Sequence, residues 1–285
     1  MRLLLIIITI FATGALTAQN SVAENKIIKD PKFLKQVSPE RVLSQTHTPV
    51  YKYEIVRTYP HDVTSYTEGL FMYRGDLYES TGRYSKSKVM KSDLGTGKAY
   101  EQYKMNDIYF GEGIAIYDDK LYHLTYKSNT GFIYDKDKLT LTGGFKYPYQ
   151  GWGMTTDGER LIMSNGSSAL LFLDPVTLEI ESYVIVKDRD SEVGFLNELE
   201  YINGEVYANV WQTNFIVRIS PETGEVLGWI DLTGLNPDPE KLKYPYVLNG
   251  IAYIEKEDLL LVAGKCWPNL YAIRLVPFKN IPKKR

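Results

Sequence analysis

The sequence predicts an all-β protein, a five-bladed β-propeller, on three observations. A pattern of two short apolar strands around a polar turn occurs five times, beginning at Glu68, Glu112, Trp152, Asn197 and Asn249, at intervals of 44, 40, 45 and 52 residues. A third strand follows each copy, and no convincing amphipathic helix interrupts the series. Repeats of this length with three or more strands are typical of propeller blades, whereas neither a β-sandwich nor a β-solenoid requires five such units.

Residues 1–23 are predicted to be a signal peptide. Arg2 precedes an uncharged apolar run from Leu3 to Leu16, which suits a signal peptide and is shorter than the roughly 20 residues that a membrane span needs. The small residues Ser21 and Ala23 fit cleavage before Glu24. We therefore expect an exported protein, periplasmic or secreted, with no stable membrane association after cleavage. The alternative is an uncleaved membrane anchor.

The rest of the chain is interpreted as an arm followed by one domain. Residues 24–49 are polar, lack a clear periodicity and are predicted to form an N-terminal arm or linker. Residues 50–285 are predicted to form a single propeller domain. The segment 50–58 (VYKYEIVRT) has the pattern of a strand but precedes the first repeat. We predict that it supplies the outer strand of the last blade, because this would join the chain ends and cover an exposed sheet edge.

The strands within the repeats are rich in aromatic and β-branched residues, and Gly, Pro, Asp and Ser mark the turns between them. The third strands begin at Val89, Phe132, Leu170, Phe215 and Leu270. Many of the 23 tyrosines fall in the repeated strands, where packing in the core explains them.

Composition excludes several classes of protein. A net charge of −2 argues against a nucleic-acid-binding protein, which normally carries a basic stripe. The single cysteine, Cys266, excludes an internal disulfide and a cysteine-based zinc cluster. The three histidines show no close metal-ligand spacing. We therefore expect neither a metal ion nor another cofactor.

The first residue of each repeat marks a candidate site, because these positions should surround one end of the central channel, just before the innermost strands. A structural repeat would place similar residues there, but this sequence has two carboxylates, one indole and two amides. Glu112 lies between two glycines, so a ligand can approach it closely, and a carboxyl group in an aromatic, water-poor site can act as a general acid and base. The alternative is that these residues only cap turns or pack.

Further side chains are expected at the same end. Trp211 follows the second strand of the fourth repeat, and with Trp152, Tyr66 and Tyr126 it could form an apolar cradle with cation–π capacity. Lys265 ends the second strand of the last repeat. Cys266 is most simply a small buried residue.

Several long segments resemble the plant and bacterial type of glutaminyl-peptide cyclotransferase. They occur in order from about Tyr59 to Leu275 and include YPHDVTSYTEGL, FGEGIA, GWGMTTDG, LNELEYINGEVYANVWQT, LNGIAY and GKCWPNLY. The resemblance implies a five-bladed propeller that converts the N-terminal glutamine of peptides or proteins into pyroglutamate and releases ammonia. It also implies catalysis without the zinc that the unrelated animal enzymes use.

The resemblance also assigns site residues. It implies that Glu112 is the catalytic general acid and base. The residues that it implies bind the substrate are Tyr66, Glu68, Tyr126, Trp152, Asn197, Trp211 and Lys265. The two tryptophans would form walls, Asn197 would orient the substrate, and Lys265 would stabilise negative charge or position Glu112. Three positions depart from the family pattern: Glu68 stands in place of glutamine, Tyr126 in place of tryptophan and Tyr66 in place of phenylalanine.

Two other functions remain open from the sequence. One is an exported propeller that binds a ligand or peptide without catalysis, since a fold does not fix function. The other is a metal-dependent lactonase or related hydrolase, but that fold needs six repeats and a cluster of Glu, Asn and Asp ligands on the channel axis. We expect the mature protein to be a monomer.

Overall fold

The computed structural model describes residues 44–236, 238 and 245–280. Twenty-two strands lie in these residues. The described residues contain almost no helix, and one short 3-10 turn spans Glu255–Glu257. The predicted signal peptide, residues 1–23, and the arm up to residue 43 fall outside the described part of the chain. No helix among the described residues is long and apolar enough to cross a membrane.

Three separate four-stranded antiparallel sheets follow one another along the chain. The first contains β2 (Thr67–Tyr73), β3 (Asp76–Thr81), β4 (Lys88–Asp93) and β5 (Lys98–Lys104). The second contains β6 (Gly111–Tyr117), β7 (Lys120–Thr125), β8 (Thr130–Asp135) and β9 (Leu141–Lys146). The third contains β10 (Met154–Thr156), β11 (Leu161–Ser164), β12 (Ala169–Leu173) and β13 (Ile180–Ile185). A two-stranded hairpin follows, formed by β14 (Lys187–Asp188) and β15 (Ser191–Glu192).

The remaining strands form one eight-stranded sheet with the order β16-β17-β18-β19-β1-β22-β21-β20. Its strands are β16 (Leu196–Ile202), β17 (Glu205–Val210), β18 (Phe215–Ile219), β19 (Val226–Asp231), β20 (Leu248–Ile254), β21 (Leu259–Gly264), β22 (Asn269–Lys279) and β1 (Val50–Pro60). The N-terminal strand β1 runs antiparallel to β22 from Val50–Lys279 to Pro60–Asn269, and it meets β19 at only two residues. The two ends of the described chain are therefore joined by a long strand pair, as the sequence predicted.

The first strand of each four-stranded sheet (β2, β6 and β10) and the two edge strands of the eight-stranded sheet (β16 and β20) are called the first strands below. They contact one another in a closed cycle, β2–β6–β10–β16–β20 and back to β2. Glycines permit this close approach. A Cβ atom on Gly113 would lie 2.4 Å from the backbone nitrogen of Met154, and one on Gly153 would lie 2.0 Å from the carbonyl oxygen of Asn197. The all-β architecture with successive four-stranded sheets is consistent with a propeller-like fold.

The apolar core lies between neighbouring sheets. In one cluster, Tyr122 and Phe145 of the second sheet pack with Leu161 and Leu171 of the third. Burying a side chain of this size contributes roughly 1.5–3 kcal/mol. The first strands are buried at their beginnings, since the first five residues of β2 and of β6 are all buried, whereas the outer strands β5 and β9 are mostly exposed.

Candidate active site

The repeat-boundary residues lie at the beginning of the first strands. Glu68, Glu112, Asn197 and Asn249 are the second residues of β2, β6, β16 and β20, so they lie one residue inside the strand rather than just before it. Trp152 precedes β10 by two residues, as expected. Since these strands surround a common axis, their first residues face the same end of the fold.

Hydrogen bonds from the preceding sheet hold two of these residues in position. Ser80 Oγ on β3 donates to the carbonyl oxygen of Glu112 at 2.6 Å, and Ser164 Oγ on β11 donates to that of Asn197 at 2.7 Å. The side-chain oxygen of Asn209 on β17 likewise accepts from the backbone nitrogen of Gly250 at 2.9 Å. All three side chains are buried, so each fixes the backbone of the neighbouring first strand.

One cavity of about 360 Å³ brings together all eight residues that the family resemblance assigned to the site, whereas Asn249 is not part of its lining. Its lining consists of Tyr66, Glu68, Phe110, Glu112, Tyr126, Trp152, Asn197, Trp211, Gln212 and Lys265. Sequence reasoning missed Phe110 and Gln212, although both lie in quoted motifs, directly before the Gly-Glu-Gly segment and directly after Trp211. Gln212 has a positive φ of 63°, which pattern reasoning does not detect.

The polar part of the cavity contains a buried cluster of two carboxyl groups and one ammonium group. Lys265 Nζ lies 2.6 Å from both carboxylate oxygens of Glu68. The carboxyl groups of Glu68 and Glu112 also share a hydrogen bond, which requires a proton on one of them. All three side chains are at least nine-tenths buried. The cluster is therefore a charge network shielded from water rather than a surface ion pair.

The environment of Glu112 favours its neutral form. Burial, followed by the negative charge of Glu68, raises the pKa of Glu112 well above its usual value, and the Lys265 ammonium only partly opposes this shift. Burial also raises the pKa of Glu68, but Lys265 acts against this by charge and by hydrogen bonding. Because Lys265 contacts Glu68 directly, Glu68 holds the negative charge and Glu112 holds the shared proton.

Two buried asparagine side chains adjoin this cluster, Asn249 behind Glu68 and Asn197 in the cavity lining. Asn249 Nδ2 donates to the carbonyl oxygen of Thr67 at 2.9 Å and to Glu68 Oε2 at 3.2 Å, so it helps to fix the carboxylate. The Oδ1 atom of Asn197 is buried, and no hydrogen-bond partner for it exists among the described residues. A buried acceptor on the cavity wall without a partner is suited to receive an N–H group of a ligand.

Aromatic rings form a continuous wall around this cluster. Ring centroids lie 6.3 Å apart for Tyr66 and Phe110, 5.8 Å for Phe110 and Tyr126, and 6.4 Å for Tyr126 and Trp152. Trp152 and Trp211 meet edge to face at 5.4 Å. The tilted and edge-to-face geometries are those that aromatic pairs prefer. Phe110 thus links the two tyrosines, whose side chains would otherwise be separate.

Other chemically interesting residues lie outside the cavity. His61 is buried and lies 3.1 Å from Glu79, and its other ring nitrogen lies 2.9 Å from the carbonyl oxygen of Trp267. His61 is therefore paired with Glu79, not with its neighbour Asp62. Cys266 is buried, as expected. Within the described ranges, no group of three or more His, Cys, Asp or Glu side chains is placed to hold a metal ion.

Comparison with known proteins agrees with the motifs. The family described as glutamine cyclotransferase matches residues 31–275. A glutaminyl-peptide cyclotransferase of Arabidopsis thaliana is 46% identical over 227 residues, which are 78% of this chain and 71% of the relative. The crystal structure of Myxococcus xanthus glutaminyl cyclase is similar with a TM-score of 0.74 and 30% identity, and the match covers 81% of this chain and 100% of that one. The resemblance is thereby confirmed: this chain belongs to the glutamine cyclotransferase family.

Proposed function

We propose that this protein is a glutaminyl-peptide cyclotransferase, an acyltransferase that converts the N-terminal glutamine of peptides or proteins into pyroglutamate and releases ammonia. The observation that carries the proposal is the buried Glu112 carboxyl, held beside Glu68 and Lys265 in an aromatic-walled cavity. Membership of the family and the Arabidopsis relative support the same activity.

The reaction is an intramolecular aminolysis. The α-amino nitrogen of the substrate attacks the side-chain amide carbon, a C–N bond closes the five-membered ring, and a tetrahedral intermediate forms. Glu112 gives its proton to the departing nitrogen and takes up the proton that the attacking nitrogen loses, so the C–N bond of the amide breaks, ammonia leaves and the carboxyl group is neutral again. Since both reacting groups belong to one residue, the enzyme needs to hold the folded conformer and transfer one proton.

The other lining residues have distinct roles in this mechanism. Trp152, Trp211, Tyr66 and Tyr126 enclose the substrate and limit access of water. The free Oδ1 atom of Asn197 is suited to orient an N–H group of the substrate. Lys265 keeps Glu68 ionised at 2.6 Å and thereby sets the charge beside Glu112. Its ammonium also favours negative charge on the amide oxygen in the transition state.

No step of this mechanism uses a metal ion, because the side chains supply both the proton transfer and the charge stabilisation. The test is release of ammonia from a peptide with N-terminal glutamine in the presence of a chelator. We expect activity for the wild type and a loss of at least about 100-fold for Glu112→Gln, the lower range for a general acid–base group. The exposed Glu181→Gln on β13 is the matched control, and an Nα-acetylated peptide is the control substrate. Activity of Glu112→Gln equal to that of the wild type would refute the assignment.

We also propose that the fold is a five-bladed propeller formed by residues 50–285. The closed cycle of five first strands supports this count. The eight-stranded sheet then corresponds to two blades joined at β19 and β1, and β1 completes the last blade by its pairing with β22. A crystal structure with a different number of sheets around the axis would contradict this arrangement.

The earlier expectations about the N-terminal region are part of the proposal. Residues 1–23 act as a signal peptide, residues 24–49 form an arm, and the protein is exported to the periplasm or secreted as a monomer. The apolar run 3–16 supports export. N-terminal sequencing of the exported protein would test cleavage before Glu24.

A further inference from the structure

An arginine stands at the rim of the cavity without an assigned role. The guanidinium carbon of Arg83 lies 4.4 Å from the ring centroid of Tyr66, which lines the cavity. Its positive charge acts on Glu68, because it favours the ionised form of that carboxylate. Arg83 is half-buried, and it has no ion-pair partner in the part of the chain that the structure describes. It is therefore a half-buried cation beside the Tyr66 wall of the cavity, outside the buried charge cluster.

The loop between β3 and β4 holds Arg83 in an unusual backbone conformation. Its φ is 87°, in the left-handed region that non-glycine residues seldom adopt. Ser87 Oγ and the backbone nitrogen of Lys86 both donate to its carbonyl oxygen, at 2.9 and 3.0 Å. The preceding backbone nitrogen, that of Gly82, donates to the carbonyl oxygen of Tyr66 at 2.8 Å. Such strain persists only where surrounding contacts enforce it, and it concentrates at functional sites.

A basic groove continues outward from this loop. Its lining consists of Thr64, Thr81, Lys86, Lys88, Gln102 and Lys104. Two of the lysines have acidic neighbours, since Lys88 lies 3.9 Å from Asp62 and Lys104 lies 2.9 Å from Asp107. Lys86 is exposed and, like Arg83, forms no ion pair among the described residues. The groove therefore retains excess positive charge beside the cavity rim.

The cavity and the groove share a wall. Thr81 lines the groove, and the next residue, Gly82, lies so close to the cavity that a Cβ atom there would meet Phe110 at 2.3 Å and Glu68 at 3.0 Å. Arg83 follows directly. A substrate whose N-terminal glutamine fills the cavity must direct its second and third residues outward. An extended peptide advances about 3.3–3.6 Å per residue. Arg83 lies 4.4 Å from the Tyr66 ring of the cavity wall, and Lys86 is hydrogen-bonded to the Arg83 carbonyl oxygen in the same loop, so both lie on the side to which these residues can extend.

Resting on the proposed function, we infer that Arg83 and Lys86 bind carboxylate side chains that follow the N-terminal glutamine, so that the enzyme prefers acidic peptides. The occupant of the groove is the continuation of the substrate itself. Arginine is well suited to this role, because its planar fork can bind a carboxylate through two hydrogen bonds while it stacks on the Tyr66 ring. The preference should weaken with salt, since the groove is open to water.

The test compares ammonia release from the peptides Gln-Glu-Ala, Gln-Gln-Ala and Gln-Lys-Ala. We expect kcat/KM for the acidic peptide to exceed that for the neutral one by about two- to fivefold, the range for partly exposed ion pairs, and mainly through KM. The basic peptide should be the poorest substrate. Raising NaCl from about 20 mM to about 500 mM should reduce the ratio towards one.

Variants at Arg83 and Lys86 test whether these two residues cause the preference for the acidic peptide. Arg83→Met and Lys86→Met should each lower the ratio of acidic to neutral peptide, and Arg83→Glu should reverse the order of acidic and basic peptides. The matched control is Lys120→Met, an exposed lysine at the start of β7, which should leave the ratio unchanged. Because both peptides are measured with the same enzyme sample, the ratio of their kcat/KM values does not depend on the fraction of enzyme that is folded. Equal rates for all three peptides, or an unchanged ratio in the Arg83 variants, would overturn the inference, whereas absence of ammonia from every peptide would overturn the proposed function instead.

Discussion

Replacing Glu68 with glutamine, the residue that the family pattern has at this position, tests the electrostatic coupling in the cavity. Glu112 shares a hydrogen bond with Glu68, and the negative charge of Glu68 is one of the causes that raise the pKa of Glu112. In the variant this charge is absent, and the Lys265 ammonium, which already favours the ionised form of Glu112, is no longer paired with a carboxylate at position 68. Both changes lower the pKa of Glu112, so we expect the ionised form to persist to lower pH.

Coulomb's law gives the order of magnitude of the shift for two neighbouring charges. Two unit charges about 4 Å apart interact by about 4 kcal/mol at an effective dielectric constant of about 20, which corresponds to about three pKa units. The hydrogen bond that glutamine can still form, and relaxation of Lys265, reduce this value. We therefore expect the acidic limb of the kcat/KM profile to move down by about 1–3 pH units in Glu68→Gln.

The assay is the pH profile of kcat/KM for ammonia release, because that ratio reports the pKa values of free enzyme and free substrate. Glu181→Gln again serves as the control. Loss of Glu68 also removes one partner of a buried ion pair, a change that costs about 3–5 kcal/mol when nothing replaces it. A smaller loss in thermal unfolding would fit Glu112 as the new counter-ion. An acidic limb that stays in place or moves to higher pH would refute the coupling.

Two further predictions concern stability. Gly113→Ala should lower the free energy of unfolding by about 1–3 kcal/mol or more, because its Cβ atom would lie 2.4 Å from the backbone nitrogen of Met154. The measurement is thermal unfolding. The control is Gly95→Ala, which should be nearly neutral because the nearest atom would lie 3.6 Å from the added Cβ atom. Glu79→Gln should destabilise more at about pH 6 than at about pH 9. Burial lowers the pKa of His61, but the charge and hydrogen bond of Glu79 outweigh burial, so the pKa of His61 is raised in the folded protein. The stabilisation by the His61–Glu79 pair is therefore complete below the unfolded pKa of about 6.5, and it is lost as the pH rises through the folded pKa. Equal losses at both pH values, measured by denaturant unfolding, would contradict a charged pair.

The sequence alone predicted the β-strand repeats, and it indicated that their first residues lie at one end of the fold, where four of the five line the cavity. Glu112 and Asn197 could be nominated because the five equivalent positions contain carboxylates, amides and an indole instead of one repeated residue type. The register of a repeated strand fixes where such a residue faces, so a short motif was sufficient. Asn249 stood in the same series, but its role as a hydrogen-bond donor to Glu68 became apparent only from the geometry.

The contacts between repeats could not be predicted, because they join residues far apart in the chain. Lys265 and Glu68 are 197 positions apart, and nothing in either motif indicates that the ammonium lies between the two carboxylate oxygens. The left-handed φ of Arg83 also has no sequence signature, since arginine does not favour that conformation. Its position above Tyr66 is therefore a property of the folded loop.

The coupled cluster explains how one carboxyl group can serve both halves of the proposed reaction. The attacking amine must be neutral, and the departing nitrogen must receive a proton, so the productive complex contains a neutral amine and a protonated Glu112. An ammonium beside an ionised Glu112 contains the same number of protons, and the two arrangements interconvert by one transfer. An ordinary glutamate, with a pKa of about 4.3, would strongly favour the ammonium, because an α-amino group has a pKa of about 7.7–8.0. Burial and the charge of Glu68 raise the pKa of Glu112 towards that range, which makes the reactive arrangement accessible. Lys265 limits this rise, so that Glu112 can still release its proton and accept another in the next cycle.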